Sequence, residues 1–328
     1  MKILITGGAG YIGSIMVKVA LDKDIQVVAV DSLERGNKEA IDSRAALVVG
    51  DLRNKDFVEN IFSENKFDAV VHFAGYISMG ESITNPYIYF DNNINASLNI
   101  IESMVKSSQN NFIFSSTAGV YGNPVEIPIT ESHPKNPTNP YGESKLMVER
   151  ILSWYQKTHG LNFVSLRYFN AAGALLDGTM GENHNPETHI IPNAIKSILE
   201  NKEFSLYGDD YETKDGTCVR DYVHVRDLIE AHILVIDKLQ KEKGKFFYNV
   251  GAGTGCSNKE LIEMVNRICG STLKVKVKER RSGDASSLIA DPRKIKEELG
   301  FSPKHSDLET IIKTAWEWHK KLKMKNEK

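Results

Sequence analysis

The sequence predicts an α/β fold: a doubly wound parallel sheet with helices on both faces, followed by a smaller C-terminal α/β lobe. Three observations predict it. The β-branched run Lys2–Thr6 passes directly into a glycine-rich stretch, residues 7–13, and then into helically spaced apolar residues over 14–21. Short apolar runs recur at residues 25–30, 46–49, 68–73, 111–115 and 162–167 with helical patterns between them, the alternation that builds parallel sheets. From about Ala171 the chain turns to longer loops with Gly, Asn, Pro and Asp, as expected of a smaller, irregular lobe. The spacing therefore divides the chain at residues 1–170 and 171–328, with a segment near 218–250 returning to the first domain.

Composition narrows the function classes. At 328 residues and 41% hydrophobic content the chain can bury a sizeable core. A formal net charge of -2 gives no electrostatic reason to expect nucleic acid or an anionic membrane surface as a partner. No apolar stretch reaches the roughly 18 residues of a membrane span, and a cytoplasmic protein is expected. Cys218, Cys256 and Cys269 are odd in number and contain no Cys-x-x-Cys pair, so neither a disulfide framework nor a metal site is expected of them.

The first strand, glycines and helix form a dinucleotide cradle in prospect. Glycines at 7, 10 and 13 allow a tight turn and close approach of backbone to a pyrophosphate, and a helix N-terminus offers free N–H groups and a positive dipole end. The second apolar run ends in Asp31, about twenty residues on, where a carboxylate can accept hydrogen bonds from both hydroxyls of an adenosine ribose. It would repel a 2′-phosphate, which favours NAD over NADP. This is the Rossmann pattern. Asp51 follows the third strand and is read in two ways, bonding an adenine amine or capping the helix over 54–64. The strand over 68–73 leads to Ala74 and Gly75, small residues that let a ligand lie against the chain, and His72 inside it reads as a core residue rather than a base. Asn92, Asn93 and Asn95 cluster in a long helical pattern over 85–109; they are costly there, so one is expected to be bonding something, with Asn93 the first choice.

The chemistry is expected later. The strand over 111–115 ends in small hydroxyl residues up to Thr117, at the carboxyl end of a central parallel strand. A Pro-rich loop over 124–140 delivers the chain into a helix that opens with Tyr141 and Lys145. Four residues apart on a helix, they share a face, and a fixed ammonium beside a phenol is expected to lower its pKa and make it a usable base. In the second lobe Arg220 and Arg281 are candidates for gripping a diphosphate.

Thr6-Gly-Gly-Ala-Gly-Tyr-Ile-Gly13, the strand end at Thr117, Tyr141-x-x-x-Lys145, His72-Phe-Ala-Gly75, Tyr168-Phe-Asn170 and Val219-Arg-Asp-Tyr-Val-His-Val225 resemble, in this order, the nucleotide-sugar branch of the extended short-chain dehydrogenase/reductase family. The resemblance implies an NAD-dependent isomerase that interconverts UDP-glucose and UDP-galactose through a 4-keto sugar. Tyr141 would remove the sugar 4-hydroxyl proton, Lys145 would hold the nicotinamide ribose, and Thr117 would bond the same sugar oxygen. Gly7, Gly10, Tyr11, Ile12, Gly13, Asp31, Asp51, Leu52, Phe73, Ala74, Gly75, Asn93 and Tyr168 fall at NAD-contacting positions. Asn170, His189, Tyr207, Arg220, Arg281, Asp284 and Leu288 fall at or beside UDP-sugar positions. A homodimer is also implied.

Three departures from the family pattern stand out. Ile15 occupies a position off the chemistry where many relatives have His. Ile77 stands where some relatives carry a Lys that reaches the cofactor, so weaker NAD retention is expected. Leu288 is smaller than the Tyr of some relatives at a position bounding the sugar 2-substituent, so N-acetylated UDP-sugars are expected as further substrates. A dehydratase of the same family would need an acid pair after the hydroxyl residue, and Thr117 is followed by Ala118 and Gly119.

Overall fold

The computed structural model describes residues 1–281 and 283–326; Ser282, next to the candidate Arg281, and residues 327 and 328 lie outside it. In chain order the elements are β1 (Lys2–Thr6), α1 (Tyr11–Asp22), β2 (Gln26–Asp31), β3 (Ala46–Val49), α2 (Lys55–Glu64), β4 (Ala69–His72), α3 (Met79–Thr84), α4 (Pro86–Phe90), α5 (Ala96–Lys106), β5 (Asn111–Thr117), α6 (Pro140–His159), β6 (Asn162–Tyr168) and β7 (Asn170–Ala172). There follow α7 (Ile190–Leu199), β8 (Glu203–Tyr207), β9 (Val219–His224), α8 (Val225–Lys241), β10 (Lys245–Val250), β11 (Gly255–Ser257), α9 (Asn258–Cys269), β12 (Lys274–Lys278), β13 (Ser287–Leu288), α10 (Arg293–Leu299) and α11 (Leu308–Asn326).

Contacts divide the chain into two units, the first comprising residues 1–122, 134–167 and 229–248, the second 123–133, 168–228 and 249–328. The first unit is built on a seven-stranded sheet in the order β10-β6-β5-β4-β1-β2-β3, in which β1 pairs parallel with both β2 and β4. Chain order reverses beside β1, the crossover pattern of a doubly wound sheet. Apolar strand residues such as Leu4, Val28, Val70 and Phe112 pack against α2, α5 and α6 through Val58, Ile61, Ile100, Met104, Val148 and Leu152, all buried. The alternate strand residues Ile3, Ile5, Val71 and Ile113, which point to the opposite face, are buried too, and burial on both faces is why the strands read as continuous apolar runs.

The second unit centres on β9, which pairs antiparallel with β11 and parallel with β7 and β13; β8 and β12 form a separate parallel pair. Its core joins α7, α9 and α11 through Ile191, Ile195, Leu261, Val265, Ile311 and Ile312. Residues 123–133 belong here for a plain reason. Ile129 donates its N–H to Ile289 and accepts from Asp291, each at 2.8 Å, so this segment is bonded beside β13. Helix α9 starts with a full capping box, the Ser257 hydroxyl accepting from the Glu260 N–H while the Glu260 carboxylate accepts from Ser257. No helix among the described residues is long and apolar enough to cross a membrane.

Candidate active site

The cradle forms at the carboxyl end of β1. Thr6, the last strand residue, is in register with Val30 on one side and His72 on the other, so the glycine turn, the end of β2 and the end of β4 lie together. Gly7 has φ +67, and a Cβ there would meet the Ala74 nitrogen at 2.6 Å; a Cβ on Gly13 would meet the Gly7 carbonyl oxygen at 2.0 Å. Only glycine permits this closeness. Gly10 is the N-cap of α1 with no side-chain bond at that end, so the first turn of the helix offers backbone N–H groups, those of Ile12 and Gly13 among them, to an anion. Asp31 is buried, its carboxylate accepting from the N–H groups of Ala9 and Leu33 at 2.9 and 2.8 Å. These backbone bonds fix the carboxylate at the end of β2. The donor set fits the adenosine and pyrophosphate of NAD.

The reading of Asp51 resolves against the helix cap. Asn54 caps α2, accepting from Phe57, whereas the Asp51 carboxylate is gripped by Arg53, whose guanidinium holds it below the usual carboxylate range. Leu52 beside it is buried, and the Phe73 ring lies 4.8 Å from that of His232, tilted at 44° to it. Among the three clustered asparagines Asn93 alone is buried. It lies in a π-helical turn over 91–95, where the widened backbone turns its amide inward. There it accepts from the Tyr76 N–H and donates to the Tyr76 carbonyl and the Ser144 hydroxyl.

Asn139 caps α6 by accepting from Gly142, Pro140 fills the first helical position and Gly160 ends the helix at φ 69. Tyr141 and Lys145 therefore occupy its first two turns, and a Cβ on Gly142 would meet the Gly119 carbonyl at 2.7 Å, which shows how closely α6 approaches the turn after Thr117. The Thr117 hydroxyl accepts from the Gly119 N–H at 3.0 Å and also interacts with the Tyr141 phenol. Lys145 is buried and donates to the Ser115 carbonyl at 2.9 Å; its ammonium lies 3.4 Å from where a Cβ on Gly75 would stand. Thr117, Tyr141, Lys145, Gly75 and Asn93 are thus one cluster.

One electrostatic expectation is corrected. Burial pushes the Tyr141 phenol above its ordinary value, and it is the Thr117 hydroxyl that works the other way. Lys145 is itself brought down to about 8 by burial. Desolvation is the leading influence on both groups, since burial disfavours the charged form of phenol and amine alike.

His72 is a core residue, as read. Its ring bonds Thr6 at 2.7 Å and Ser97 at 3.0 Å, and burial, with Lys145 second, lowers it to about 3. In the second unit burial likewise lowers His224 to about 4, while burial raises Asp221 to about 6 against three backbone donors. Between pH 6.5 and 4.5 the unfolded chain binds protons that the folded histidines refuse, so their contribution is complete above pH 6.5 and is lost as pH falls. Asp221 has the opposite sign but the smaller combined shift. Acidification from pH 7 to 4.5 is therefore expected to lower the unfolding temperature, and His72→Gln to flatten that dependence, as read by thermal unfolding across a pH series.

Second-unit candidates gather on and around β9. Leu288 is in register with Arg220, and Arg220 donates to the Ala285 carbonyl at 2.8 Å and lies 3.8 Å from Asp284. The Arg281 guanidinium sits 4.0 Å from the Tyr207 ring, and Asn170 donates to the Asp221 carbonyl. Tyr168 is buried. His189 stands apart from this set, at the N-cap of α7, beside Glu182. Sequence reasoning missed Tyr76, Ser144 and the Ser115 carbonyl. Two of these act through backbone groups, which leave no mark in side-chain identity.

A cradle for a dinucleotide and a Thr-Tyr-Lys cluster whose lysine is buried, both on one Rossmann unit, define the class of a nucleotide-dependent enzyme acting on a carbinol. The chain belongs to the NAD dependent epimerase/dehydratase family, whose model matches residues 3–251. It is 44% identical over 98% of its length to UDP-glucose 4-epimerase of Lactobacillus helveticus, of which it spans 97%. Its structure is similar to that of UDP-glucose 4-epimerase from Bifidobacterium longum in complex with NAD+ and UDP, with TM-score 0.94 and 37% identity over 98% of each chain. It also resembles the UDP-Glc/GlcNAc 4-epimerase of Campylobacter jejuni, with TM-score 0.85 and 40% identity over 98% of this chain and 99% of that one.

Proposed function

We propose that this protein interconverts UDP-glucose and UDP-galactose by inverting C4 of the sugar, with NAD retained and no net oxidation. The observation that carries the reading is the Thr117-Tyr141-Lys145 cluster beside the glycine turn and Asp31. When bound, NAD supplies an acceptor for the C4 hydride and a positive charge that favours the phenolate. Tyr141 would take the proton of the sugar 4-hydroxyl in one half of the inversion and return it to the same oxygen in the other. Thr117 holds that oxygen by a hydrogen bond. Lys145, anchored on Ser115, binds the nicotinamide ribose. Gly7, Gly10, Tyr11, Ile12 and Gly13 cradle the pyrophosphate, Asp31 takes the adenosine ribose, and Asp51, Leu52, Phe73, Ala74, Gly75, Asn93 and Tyr168 complete the cofactor contacts.

Residues of the second unit recognise the UDP-sugar. Arg220 and Arg281 bind the diphosphate, with Asn170, His189, Tyr207 and Asp284 as further contacts and Leu288 bounding the sugar 2-substituent. The similarity to an enzyme named for both glucose and N-acetylglucosamine supports the wider substrate range that the modest size of Leu288 suggests. We further read the protein as a cytoplasmic homodimer; support for association is that α6 leaves Met147 and Trp154 exposed.

The test is to incubate the purified protein with UDP-galactose without added cofactor and then with UDP-N-acetylglucosamine. A mixture with UDP-glucose and partial conversion of the N-acetylated sugar are expected. Exposed Ile77 offers the cofactor no ammonium, so prolonged dialysis should lower the activity until NAD is restored. Stoichiometric NADH accumulation would instead identify a dehydrogenase, and an inert UDP-N-acetylglucosamine would remove the wider range.

A further inference from the structure

We propose that Glu182, His184, Glu187 and His189 form a divalent transition-metal site, fitted to Zn2+ and closed by four protein ligands at the entrance to α7. One ligand atom from each residue lies within 4.8 Å of all the others. In a tetrahedral zinc site with bonds of about 2.1 Å, ligand atoms are spaced by about 3.4 Å. His184 Nδ1 lies 2.9 Å from Glu182 Oε1 and 3.9 Å from Glu187 Oε1, on either side of that spacing. Small side-chain rotations would bring the four donors onto one ion.

The arrangement differs from paired surface charges. Nδ1 of His184 and Nδ1 of His189 both face the same oxygen, Glu182 Oε1, and the two rings meet edge to face with centroids 5.5 Å apart. The carboxylates they meet are enclosed, the side chains of Glu182 and Glu187 being 4% and 5% exposed. Surrounding groups fix the ligands in place, as outer partners do around metals. Glu187 Oε1 accepts the N–H groups of Thr188 and His189 at 2.8 and 3.0 Å, and Lys196 stands 3.5 Å from its other oxygen. The Glu182 carbonyl accepts from the Trp318 indole at 2.8 Å, and a Cβ on Gly181 would strike that ring at 2.6 Å. The backbone before the first ligand is therefore clamped against α11.

Donor type selects the ion. Two imidazoles exclude the hard cations Mg2+ and Ca2+, which take oxygen, and two imidazoles with two carboxylates suit Zn2+. Two carboxylates also balance its charge. With four protein ligands the ion would be structural, tying the loop over 182–189 to α7 and fixing His189. The cysteines contribute nothing to it, so a search for Cys spacing could not have found it; Glu-x-His-x-x-Glu-x-His is the signal.

The experiment strips the full-length protein with EDTA, dialyses it against Zn2+ and measures bound metal by elemental analysis, with Co2+ as a second probe. One Zn2+ per chain is expected, together with the intense visible bands of tetrahedral Co2+ and a raised unfolding temperature. His184→Ala and Glu182→Gln should each weaken Zn2+ binding by at least about 10²-fold; circular dichroism and NAD content show whether each variant is folded. Should either misfold, Glu187→Gln replaces it. No Zn2+ retained at micromolar concentration, or retention unchanged in the folded variants, would overturn the site. Neither reading depends on the other: UDP-galactose conversion without zinc binding would sink the metal alone, and zinc binding without conversion the enzymatic reading alone.

Discussion

Tyr141→Phe is expected to reduce kcat on UDP-galactose by about 10²–10⁴-fold, the usual contribution of a positioned acid–base group. KM and NAD content should change little, since the ring stays and only the hydroxyl goes. Asn139 and Pro140 fix the first turn of α6, so the phenol stands where the Thr117 hydroxyl reaches it. Burial raises the phenol and the Thr117 hydroxyl works the other way, and one positioned phenol can serve as base in one half-reaction and acid in the other. Lys145→Ala should behave differently, losing rate and cofactor together, because that ammonium is buried and anchored on Ser115, and on the proposed reading it holds the nicotinamide ribose. Steady-state kinetics with NAD quantified after purification separates the two. A Tyr141→Phe protein with undiminished turnover would remove the phenol from the acid–base role.

The first unit was largely legible because its signals are local. A strand, a glycine turn and a helix lie within the first 22 residues, and Gly13 could be read as obligatory since its neighbours in space are its neighbours in sequence. Asn93 was legible by cost: a buried amide in a helix has to be bonded to something. The π-turn that directs it was not, because that widened turn answers to Tyr76 and Ser144, 17 and 51 residues away. The pKa of Tyr141 went the other way from expectation for a similar reason. Spacing on a helix gives proximity, whereas burial depends on how strands and loops close around the pair. Residues 123–133 read as a plain Pro-rich connection, yet Ile129 bonds to Ile289 and Asp291, contacts that no local pattern announces. His189 was picked out as a substrate contact; the structure puts it in a four-residue cluster whose other members drew no notice.

The same long-range logic gives the largest expected effect on stability. Glu149 and Arg167 are both buried, and the guanidinium grips the carboxylate at 2.9 and 2.7 Å. Glu149 Oε1 also accepts from Ser116 and Ser165, each at 2.7 Å, and Arg167 donates to the Tyr121 hydroxyl at 2.9 Å. Glu149→Ala should cost about 3–5 kcal/mol, because it leaves an unpaired cation in the core. Glu149→Leu combined with Arg167→Met should recover most of that loss, since removing both charges also removes their desolvation cost. Denaturant unfolding of the single and double variants checks this; a loss under about 1 kcal/mol for Glu149→Ala would mean that water reaches the guanidinium. The pair also bears on catalysis. It joins α6, which carries Tyr141 and Lys145, to Ser116, the neighbour of Thr117 on β5. A Glu149→Gln protein that remains folded keeps the shape of the link but weakens it, and should lower kcat more than it raises KM, because the phenol and the Thr117 hydroxyl are then held less firmly against one another.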